Sequence, residues 1–290
     1  MRRMKPIITT ESLKLDDGFD DIKKKIETES KYDSLKKLCK FNIEKKRLVY
    51  PTEGIYPNRS EHTKRIPVLF LFSNPYPESV EIGLFLSEPH SRTFWQRLFE
   101  SEYLCLPVRG IDLKHWGSST AKQLGRLMLK GEYKSHFLLY FHCLWPIPTK
   151  KPEHLKSLFK SKARLWAAIE RSSMEELARL TKNEQIKHIV AFAGPTFKAV
   201  TGVNENTYKG WRDRIKHAVD DYRKDEDLEK YWESLSGGYA KTRLGQNDVE
   251  VYLGLDTRSK NLGKEMEKRY FTWAFDMIFS RILKDQPPIK

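Results

Sequence analysis

The stretch that decides the fold runs from Pro67 to Pro77 and reads PVLFLFSNPYP. Its first six residues form a continuous apolar run, which is typical of a strand buried on both faces of a sheet. The run stops at Ser73-Asn74-Pro75-Tyr76, where asparagine and proline predict a rigid turn. The sequence therefore predicts a central strand that ends abruptly in polar and aromatic residues.

Three further apolar runs lie along the chain: HFLLYFHCL at 136–144, IVAFA at 189–193 and VEVYLGL at 249–255. Helical patterns separate the runs or close the chain, at 93–101, 119–130, 153–181, 195–200 and 260–283. Strands that alternate with helices predict an α/β fold, here a three-layer αβα sandwich with a central four-stranded parallel sheet. Ligands bind such sheets beyond the carboxyl ends of the strands, so the residues after each run are the first candidates for chemistry.

The first 65 residues have a different pattern. The segment 16–46 is rich in Lys, Asp and Glu, with apolar residues at helix-like spacing, and predicts one or two amphipathic helices. A polar stretch with Pro51, Gly54 and Pro57 follows and is interpreted as a connector. The expected organisation is a helical N-terminal extension over 1–65 and an α/β domain over 66–290.

The charge balance favours a polyanionic partner. The chain of 290 residues carries 53 Lys and Arg against 39 Asp and Glu, a formal net charge of +14. Nucleic acid is the first candidate for such a chain, although a protein can be basic without binding it. No apolar run approaches the ~20 residues of a membrane helix. The start, MRRMKPIITTES, lacks the apolar stretch of a signal peptide.

The cysteines exclude several classes of site. Cys39, Cys105 and Cys143 are far apart and form no CxxC pair, so they predict neither a disulfide framework nor a four-thiolate metal centre. A reduced, cytoplasmic protein without a metal, a cofactor or a membrane partner is the expectation.

The segment 68–99 resembles the first motif of the uracil-DNA glycosylase superfamily, in its mismatch-specific and single-strand-selective branches. There a buried strand runs into Gly-x-Asn-Pro-Gly, and an aromatic residue and an Arg-Phe-Trp-type helix start follow. Asn74 and Pro75 match the core pair, whereas Phe72 and Tyr76 replace the two glycines. Phe85 falls near the position of the base-stacking aromatic residue. The helix start is matched by Arg92, Phe94 and Trp95.

The other three runs extend the resemblance, which covers roughly residues 66–285. YFHCLWPI at 140–147 is similar to the Phe-x-His-Asn-Leu-x-Pro-Leu of the single-strand-selective branch, with His142 matched and Cys143 in place of the asparagine that reads uracil. VAFAGPTFKAV at 190–200 resembles the segment that faces the DNA backbone. The last motif should end in His-Pro-Ser, and this chain has Asp256-Thr257-Arg258 there.

The resemblance implies a set of roles. Asn74 would hold the attacking water, and Asp256 would replace the catalytic histidine, either as an acid or as an ionised group that stabilises the sugar cation. The base contacts would come from Tyr76, Phe85, His142 and Cys143. The DNA contacts would come from Gly194, Thr196, Lys198, Thr257, Arg258, Ser259 and Lys260.

Each role has a structural alternative. Asn74-Pro75 also suits a plain turn, and Asp256 suits a strand-end turn paired with Arg258 or Lys260. Phe85 and His142 are equally compatible with places in the core. The segment that starts at Gly194 can be a simple strand–helix junction.

The resemblance implies a DNA glycosylase. It is expected to be monofunctional, since no lysine stands out as a Schiff-base nucleophile. A thiol is a weak donor and a weak acceptor, so Cys143 argues against plain uracil as the base. The expected substrate is a flipped-out modified pyrimidine in double-stranded DNA, attacked by a monomer that leaves an abasic site. Some members of the superfamily excise glucosylated hydroxymethylcytosine from phage DNA, and this chain is compatible with that anti-phage role. The alternatives are a repair glycosylase for uracil, mismatched or damaged bases, and an inactive nucleic-acid-binding module.

Overall fold

The four apolar runs form four parallel strands of one sheet. The computed structural model describes residues 7–85, 92–106, 111, 113, 116–192, 194–203, 239–254 and 275–283. The strands are β1 Ile8–Lys14, β2 Lys40–Asn42, β3 Arg47–Glu53, β4 Ile66–Phe72, β5 Leu104–Cys105, β6 Lys134–Ser135, β7 Phe137–Cys143, β8 His188–Phe192, β9 Tyr239–Leu244 and β10 Asn247–Gly254. The helices are α1 Phe19–Thr28, α2 Asp33–Leu38, α3 Pro77–Ile82, α4 Arg92–Glu100, α5 Ser118–Lys130, α6 Pro152–Phe159, α7 Ala163–Asn183, α8 Gly194–Thr201 and α9 at 275–283.

The protein has a mixed α/β fold, and its main sheet has five strands in the order β7-β4-β8-β10-β9. The first four are mutually parallel, and β9 is antiparallel to β10. In the register, Phe72 lies opposite Cys143, and Leu71 lies opposite Ala191. The carboxyl ends of β4, β7 and β8 therefore meet at one edge of the sheet, as the alternation of strands and helices predicts.

The fifth strand corrects the expectation of a four-stranded sheet. Residues 239–244, which carry no continuous apolar run, pair with β10 through a two-residue turn at Gly245 and Gln246. Gly245 has φ +60°, a conformation that glycine adopts without a steric penalty. Strand β9 lies at the edge of the sheet and contains polar and charged residues, so it forms no apolar run in the sequence.

The helical prediction for the N-terminal segment is only half right. Two helices, α1 and α2, lie within 16–46 as expected, but β1, β3 and β2 form an antiparallel sheet in that order. Strand β3 ends inside the expected connector, at Glu53. Pro51 is tolerated in this strand because β2 pairs only with Arg47–Val49, so that at Pro51 the strand has β1 as its one partner.

The long helix expected over 153–181 is two helices, α6 and α7. At the break, Ser161 donates a hydrogen bond to Asp21 at 2.9 Å and accepts one from Lys25 at 2.9 Å. Both partners belong to α1, so the break is anchored on the N-terminal segment. The other expected helices are confirmed within one or two residues, and of the last one only 275–283 is described.

The core on one face of the sheet is a cluster of phenylalanine rings. Phe70 on β4 contacts Phe94 of α4 and Phe275 of α9, at ring-centroid distances of 6.0 and 5.9 Å. On the other face, the Tyr140 hydroxyl donates to Glu184, directly after α7, at 3.2 Å. The buried apolar residues of α1 and α2 belong to the same hydrophobic cluster as the sheet. The N-terminal segment and the sheet therefore share one core.

Candidate functional site

The loops that follow β4 and β7 are joined by backbone hydrogen bonds. Leu144 N–H donates to the Phe72 carbonyl at 2.8 Å, and Trp145 N–H donates to the Ser73 carbonyl at 2.8 Å. Further on, Thr149 N–H donates to the Pro75 carbonyl at 3.1 Å. Prolines at 75, 77, 146 and 148 stiffen both loops. The two segments with the strongest resemblance thus form one rigid surface at the end of the sheet.

The side chain of Asn74 is held by its amide nitrogen. Nδ2 donates to the Thr149 carbonyl at 2.7 Å, to Thr149 Oγ1 at 3.0 Å and to the Pro75 carbonyl at 3.1 Å. Thr149 Oγ1 gives its own proton to the Lys151 carbonyl at 3.0 Å, so it faces Asn74 as an acceptor. Three acceptors around Nδ2 fix the orientation of the carboxamide.

In this orientation the amide oxygen of Asn74 is the end of the side chain that can still accept a hydrogen bond. Oδ1 accepts a hydrogen bond from the Ser73 hydroxyl at 3.0 Å. A carboxamide oxygen has two acceptor sites, so Oδ1 keeps one for a water molecule or a substrate proton. The side chain is half-buried, which leaves it in reach of solvent. Such an oxygen can position a water for attack but is too weak a base to deprotonate it by itself.

His142 lies on β7, buried with 6 % of its surface exposed. Its Nδ1 is 2.8 Å from the hydroxyl oxygen of Tyr56. Burial, followed by the nearby negative charges of Glu176 and Glu11, raises the pKa of Tyr56 well above its usual value. The tyrosine therefore stays protonated and holds the imidazole ring in one orientation.

Tyr56 reaches His142 because the segment after β3 pairs with the outer edge of β7. Ile55 and Phe141 exchange two backbone hydrogen bonds of 3.0 Å each. Gly54 lets the tyrosine ring fold back over the chain, since a Cβ atom at this position would clash with the ring of Tyr56. The polar connector of the sequence interpretation is therefore part of the site.

Cys143 is buried at the end of β7, opposite Phe72. Burial, and then the charge of Glu53, raises the pKa of its thiol well above the usual value. The side chain is therefore a neutral thiol at physiological pH, and neither a nucleophile nor a strong hydrogen-bonding group. Glu53 itself is buried, with 3 % of its surface exposed.

The aromatic residues at this edge are packed against each other. Phe72 stacks on Phe192 with centroids 4.7 Å apart and contacts Phe85 at 5.4 Å. Phe85 is 1 % exposed and also contacts Phe141 at 5.9 Å. The structure thus places Phe85 in the aromatic core, as its structural alternative predicts, and stacking on a base would require one face of its ring to be uncovered.

The other residues of the first motif make contacts that hold the fold together. Tyr76 is half-buried and directly precedes α3, where its carbonyl accepts from Val80 N–H at 3.1 Å. Trp95 is buried in α4 and donates its indole N–H to the Phe85 carbonyl at 2.8 Å. Phe94 is buried beside it. Arg92 begins α4 at the expected position.

The third expected contact region lies at α8, after β8. Gly194 and Thr196 are buried, Thr196 completely, whereas Lys198 is exposed. A contact of this helix with DNA would therefore come from the Lys198 side chain and from backbone N–H groups of the first turn.

The remaining expected residues, Asp256, Thr257, Arg258, Ser259 and Lys260, lie outside the described residues. The role of Asp256 stays a prediction.

Sequence reasoning did not single out Ser73, Thr149, Tyr56 or Glu53. Ser73 directly precedes Asn74, and Thr149 directly follows Pro148. Their nearness to the motifs was the only sequence feature that could have indicated a role for them. Tyr56 and Glu53 gave no local signal, because they enter the site only through the pairing of Ile55 with a strand 86 residues further along the chain.

Within the described ranges, no group of three or more His, Cys, Asp or Glu side chains is arranged to hold a metal ion. None of the helices in those ranges combines the length and the apolar character that crossing a membrane requires.

No protein-family model matches this chain, and a search of curated proteins finds no match either.

Proposed function

We propose that this protein is a monofunctional DNA glycosylase of the uracil-DNA glycosylase type, which removes a modified pyrimidine other than plain uracil. The proposed substrate is glucosylated hydroxymethylcytosine of phage DNA, which would make the protein an anti-phage enzyme. The proposal includes the three-layer αβα arrangement of that superfamily. The observation that carries it is the fixed carboxamide of Asn74 at the end of β4, beside the end of β7.

The site has a clear task in this reaction. A water molecule adds to C1′ of the sugar, the bond from C1′ to the base nitrogen breaks, and its electron pair leaves with the base. Asn74 Oδ1 accepts a hydrogen bond from the water and orients it. The proton released by the water goes to solvent or to a neighbouring proton-accepting group. The departing nucleobase takes up a proton. Base flipping is required first, because the sugar carbon is out of reach in a stacked duplex.

His142 fits the role of a group that binds the base. Tyr56 fixes its ring at 2.8 Å, and it lies one residue before Cys143, where the resemblance places the reader of the base. A fixed imidazole donor can stabilise the negative charge that develops on a leaving base, an effect of the oxyanion-hole type. The net charge of +14 supports binding to the DNA backbone.

The decisive experiment measures base release by mass spectrometry from three DNAs: glucosylated phage DNA, unmodified DNA and uracil-containing DNA. We expect release from the glucosylated DNA and none from unmodified DNA. Equal release of uracil would contradict the proposed substrate, and release from none of the three, with binding retained, would contradict an enzyme.

Variants of the loop after β4 test the role of Asn74. We expect Asn74→Ala to lower the rate of base release at least ~100-fold, since one group that orients a reactant at a transition state contributes about this much. Thr149→Val removes one acceptor that orients the carboxamide and should lower the rate about 5-fold to 10-fold, as a hydrogen bond of ~1 kcal/mol would.

Asn58→Ala is the matched control. Asn58 also makes a local turn, where its side chain accepts a hydrogen bond from Ser60 N–H at 3.3 Å, but it belongs to neither loop. If Asn74→Ala reduced the rate no more than Asn58→Ala, the carboxamide would be a turn residue only.

A second candidate function is binding of nucleic acid without base removal. The observation that favours it is the burial of Phe85, whose ring the structure places in the core. Binding of the same DNAs by wild-type protein, with no base released at any enzyme concentration, would establish this function in place of the first.

A further inference from the structure

Exposed lysines follow the loop of β7 along helix α6. The segment 150–164 carries six Lys and Arg residues against one acidic residue, Glu153. Three of the lysines lie on or directly beside α6 and are exposed: Lys151, Lys156 and Lys160. We call these three residues the α6 lysines. None of them forms an ion pair with a residue that the structure describes, so their positive charge is not neutralised there.

The α6 lysines begin directly beside Asn74. Thr149 Oγ1 accepts a hydrogen bond from Asn74 Nδ2 at 3.0 Å and donates its own proton to the Lys151 carbonyl at 3.0 Å. Lys151 is the residue from which α6 starts. Two successive hydrogen bonds therefore connect the carboxamide to the start of the helix, and the place of α6 beside the candidate site is fixed.

The buried side of α6 sets the orientation of the helix. Leu155, Leu158 and Phe159 are completely buried, so the opposite side faces solvent. On that side, Lys156 Nζ lies 5.5 Å from the ring centroid of Trp145, which is buried directly after β7. A lysine over an aromatic ring keeps its charge. Lys156 is therefore held near the end of β7 while it remains exposed.

The spacing of the α6 lysines suits an extended polyanion. Lys156 and Lys160 are one helical turn apart and share a face, and Lys151 lies at the end of the helix that adjoins Asn74. From Lys151 to Lys160 the helix extends ~13 Å, at a rise of 1.5 Å per residue. One strand of DNA advances ~3.4 Å per nucleotide, so this length matches roughly four successive phosphates.

Nucleic acid fits this surface better than an anionic membrane does. Helices that bind membranes place large apolar side chains at the lipid, opposite their basic face. The structure describes 150–164 throughout, and no large hydrophobic side chain of this segment is exposed. Lysines on a rigid helix contact phosphates and position a duplex without reading its sequence.

We infer that the α6 lysines bind the phosphate backbone of the DNA that flanks the flipped base, and so fix the path of the duplex across the end of the sheet. The inference rests on the proposed binding of DNA at Asn74. It adds a contact surface outside the segments that the resemblance assigns to the DNA backbone, which are α8 and 257–260. The α6 lysines position the substrate and take no part in breaking the bond to the base.

Two triple variants with the same change of charge test the surface. The α6 variant combines Lys151→Gln, Lys156→Gln and Lys160→Gln. The control variant replaces three exposed lysines that precede β4, β7 and β8 and therefore lie at the opposite, amino edge of the sheet: Lys64→Gln, Lys134→Gln and Lys187→Gln. Since each variant loses three positive charges, a difference between them reports where the charges lie.

The assay is fluorescence anisotropy of a labelled duplex with a central tetrahydrofuran abasic site, titrated with protein at several NaCl concentrations. We expect the α6 variant to bind at least ~10-fold more weakly than wild type at about 100 mM NaCl, and the slope of log affinity against log salt to fall by ~2–3, because each phosphate contact contributes about 0.9 to that slope. The control variant should change the slope by less than ~1.

The outcomes separate the two proposals. If the two variants lose affinity and slope equally, the α6 lysines act only through total charge, and the inference is refuted whether or not wild type releases a base. If the α6 variant alone loses affinity and slope but wild type releases no base from any DNA, the contact surface stands and the glycosylase function fails. If wild type binds no DNA, both fail.

Two further measurements keep the test decisive. Binding to vesicles that contain phosphatidylserine is measured in parallel, and a loss of this binding by the α6 variant with DNA binding unchanged would refute DNA as the partner. Lys160→Gln alone, which lies beyond the last residue of α6, replaces the triple variant if that variant does not fold. It should lower the slope by ~1, and an unchanged slope would refute the inference.

Discussion

Replacing Tyr56 by phenylalanine tests the bond that holds His142. The change removes one hydroxyl oxygen and keeps the ring, so the packing around it changes little. It leaves a ring nitrogen of His142 without the partner that lies 2.8 Å away in the structure. Because the imidazole is 6 % exposed, solvent replaces that partner poorly. A buried polar group that loses its hydrogen bond costs about 1–3 kcal/mol, and we expect the free energy of unfolding to fall by ~2 kcal/mol.

Urea unfolding, followed by tryptophan fluorescence at neutral pH, measures this loss. With a dependence on urea of ~3 kcal/mol per molar, the upper end of the range for small proteins, the midpoint should move down by roughly 0.7 M. The slope itself should not change, since the variant exposes the same surface on unfolding.

Tyr50→Phe is the matched control. Tyr50 is a buried tyrosine of β3 whose hydroxyl has no hydrogen-bond partner among the described residues. Its replacement should change the stability by less than ~0.5 kcal/mol, as is usual away from specific polar contacts. Equal midpoints for Tyr56→Phe and Tyr50→Phe would refute the reasoning, because they would mean that the bond to His142 contributes nothing measurable. Base release by Tyr56→Phe should also be slower if His142 has to be oriented.

Two further predictions concern the backbone at the site and the thiols. Gly54→Ala should destabilise the protein by roughly 1–3 kcal/mol in urea unfolding, since its Cβ would clash with the ring of Tyr56. Gly117→Ala, whose Cβ would have nothing within 4 Å, is the control and should change little. Equal effects of the two substitutions would contradict the fold-back of that ring. Burial raises the pKa of Cys39 to about 12 and that of Cys143 well above its usual value, so both are protonated at pH 8, and iodoacetamide should modify Cys105 alone until the chain is unfolded. Since the folded pKa of Cys39 exceeds its unfolded value near 9, its contribution to stability is complete below pH 9 and decreases as the pH rises towards 12. Peptide mapping that finds Cys143 alkylated in folded protein at pH 8 would contradict its burial.

The sequence predicts the parallel part of the sheet well, because the residues of a doubly covered strand are nearly all apolar and form a local signal. It predicts the nearness of Asn74 and Cys143 for the same reason, since parallel strands end at one edge. Strand β3 was missed because Pro51 and Glu53 are untypical of strands, and only its single-sided pairing at Pro51 makes that proline acceptable.

The second half of the site could not be predicted from local pattern. Tyr56 and His142 are 86 positions apart in the sequence. No residue beside either of them indicates that the two are in contact. The position of Phe85 was ambiguous for a related reason. A phenylalanine after a strand can face a pocket or the core, and the surrounding rings of Phe72 and Phe141 decide for the core.

The pairing of Ile55 with Phe141 is a weak link between the end of the N-terminal segment and the sheet, and we expect it to open before the sheet unfolds. Two backbone hydrogen bonds attach the end of the N-terminal segment to the margin of the sheet, whereas β7 is attached to β4 along seven residues. Local detachment of residues 54–56 from β7 would be a partial unfolding event of lower free energy than melting of the sheet. It would withdraw Tyr56 from His142 and leave Asn74 in place. The contact of Tyr56 with His142 would then be lost at a lower urea concentration than the fold itself.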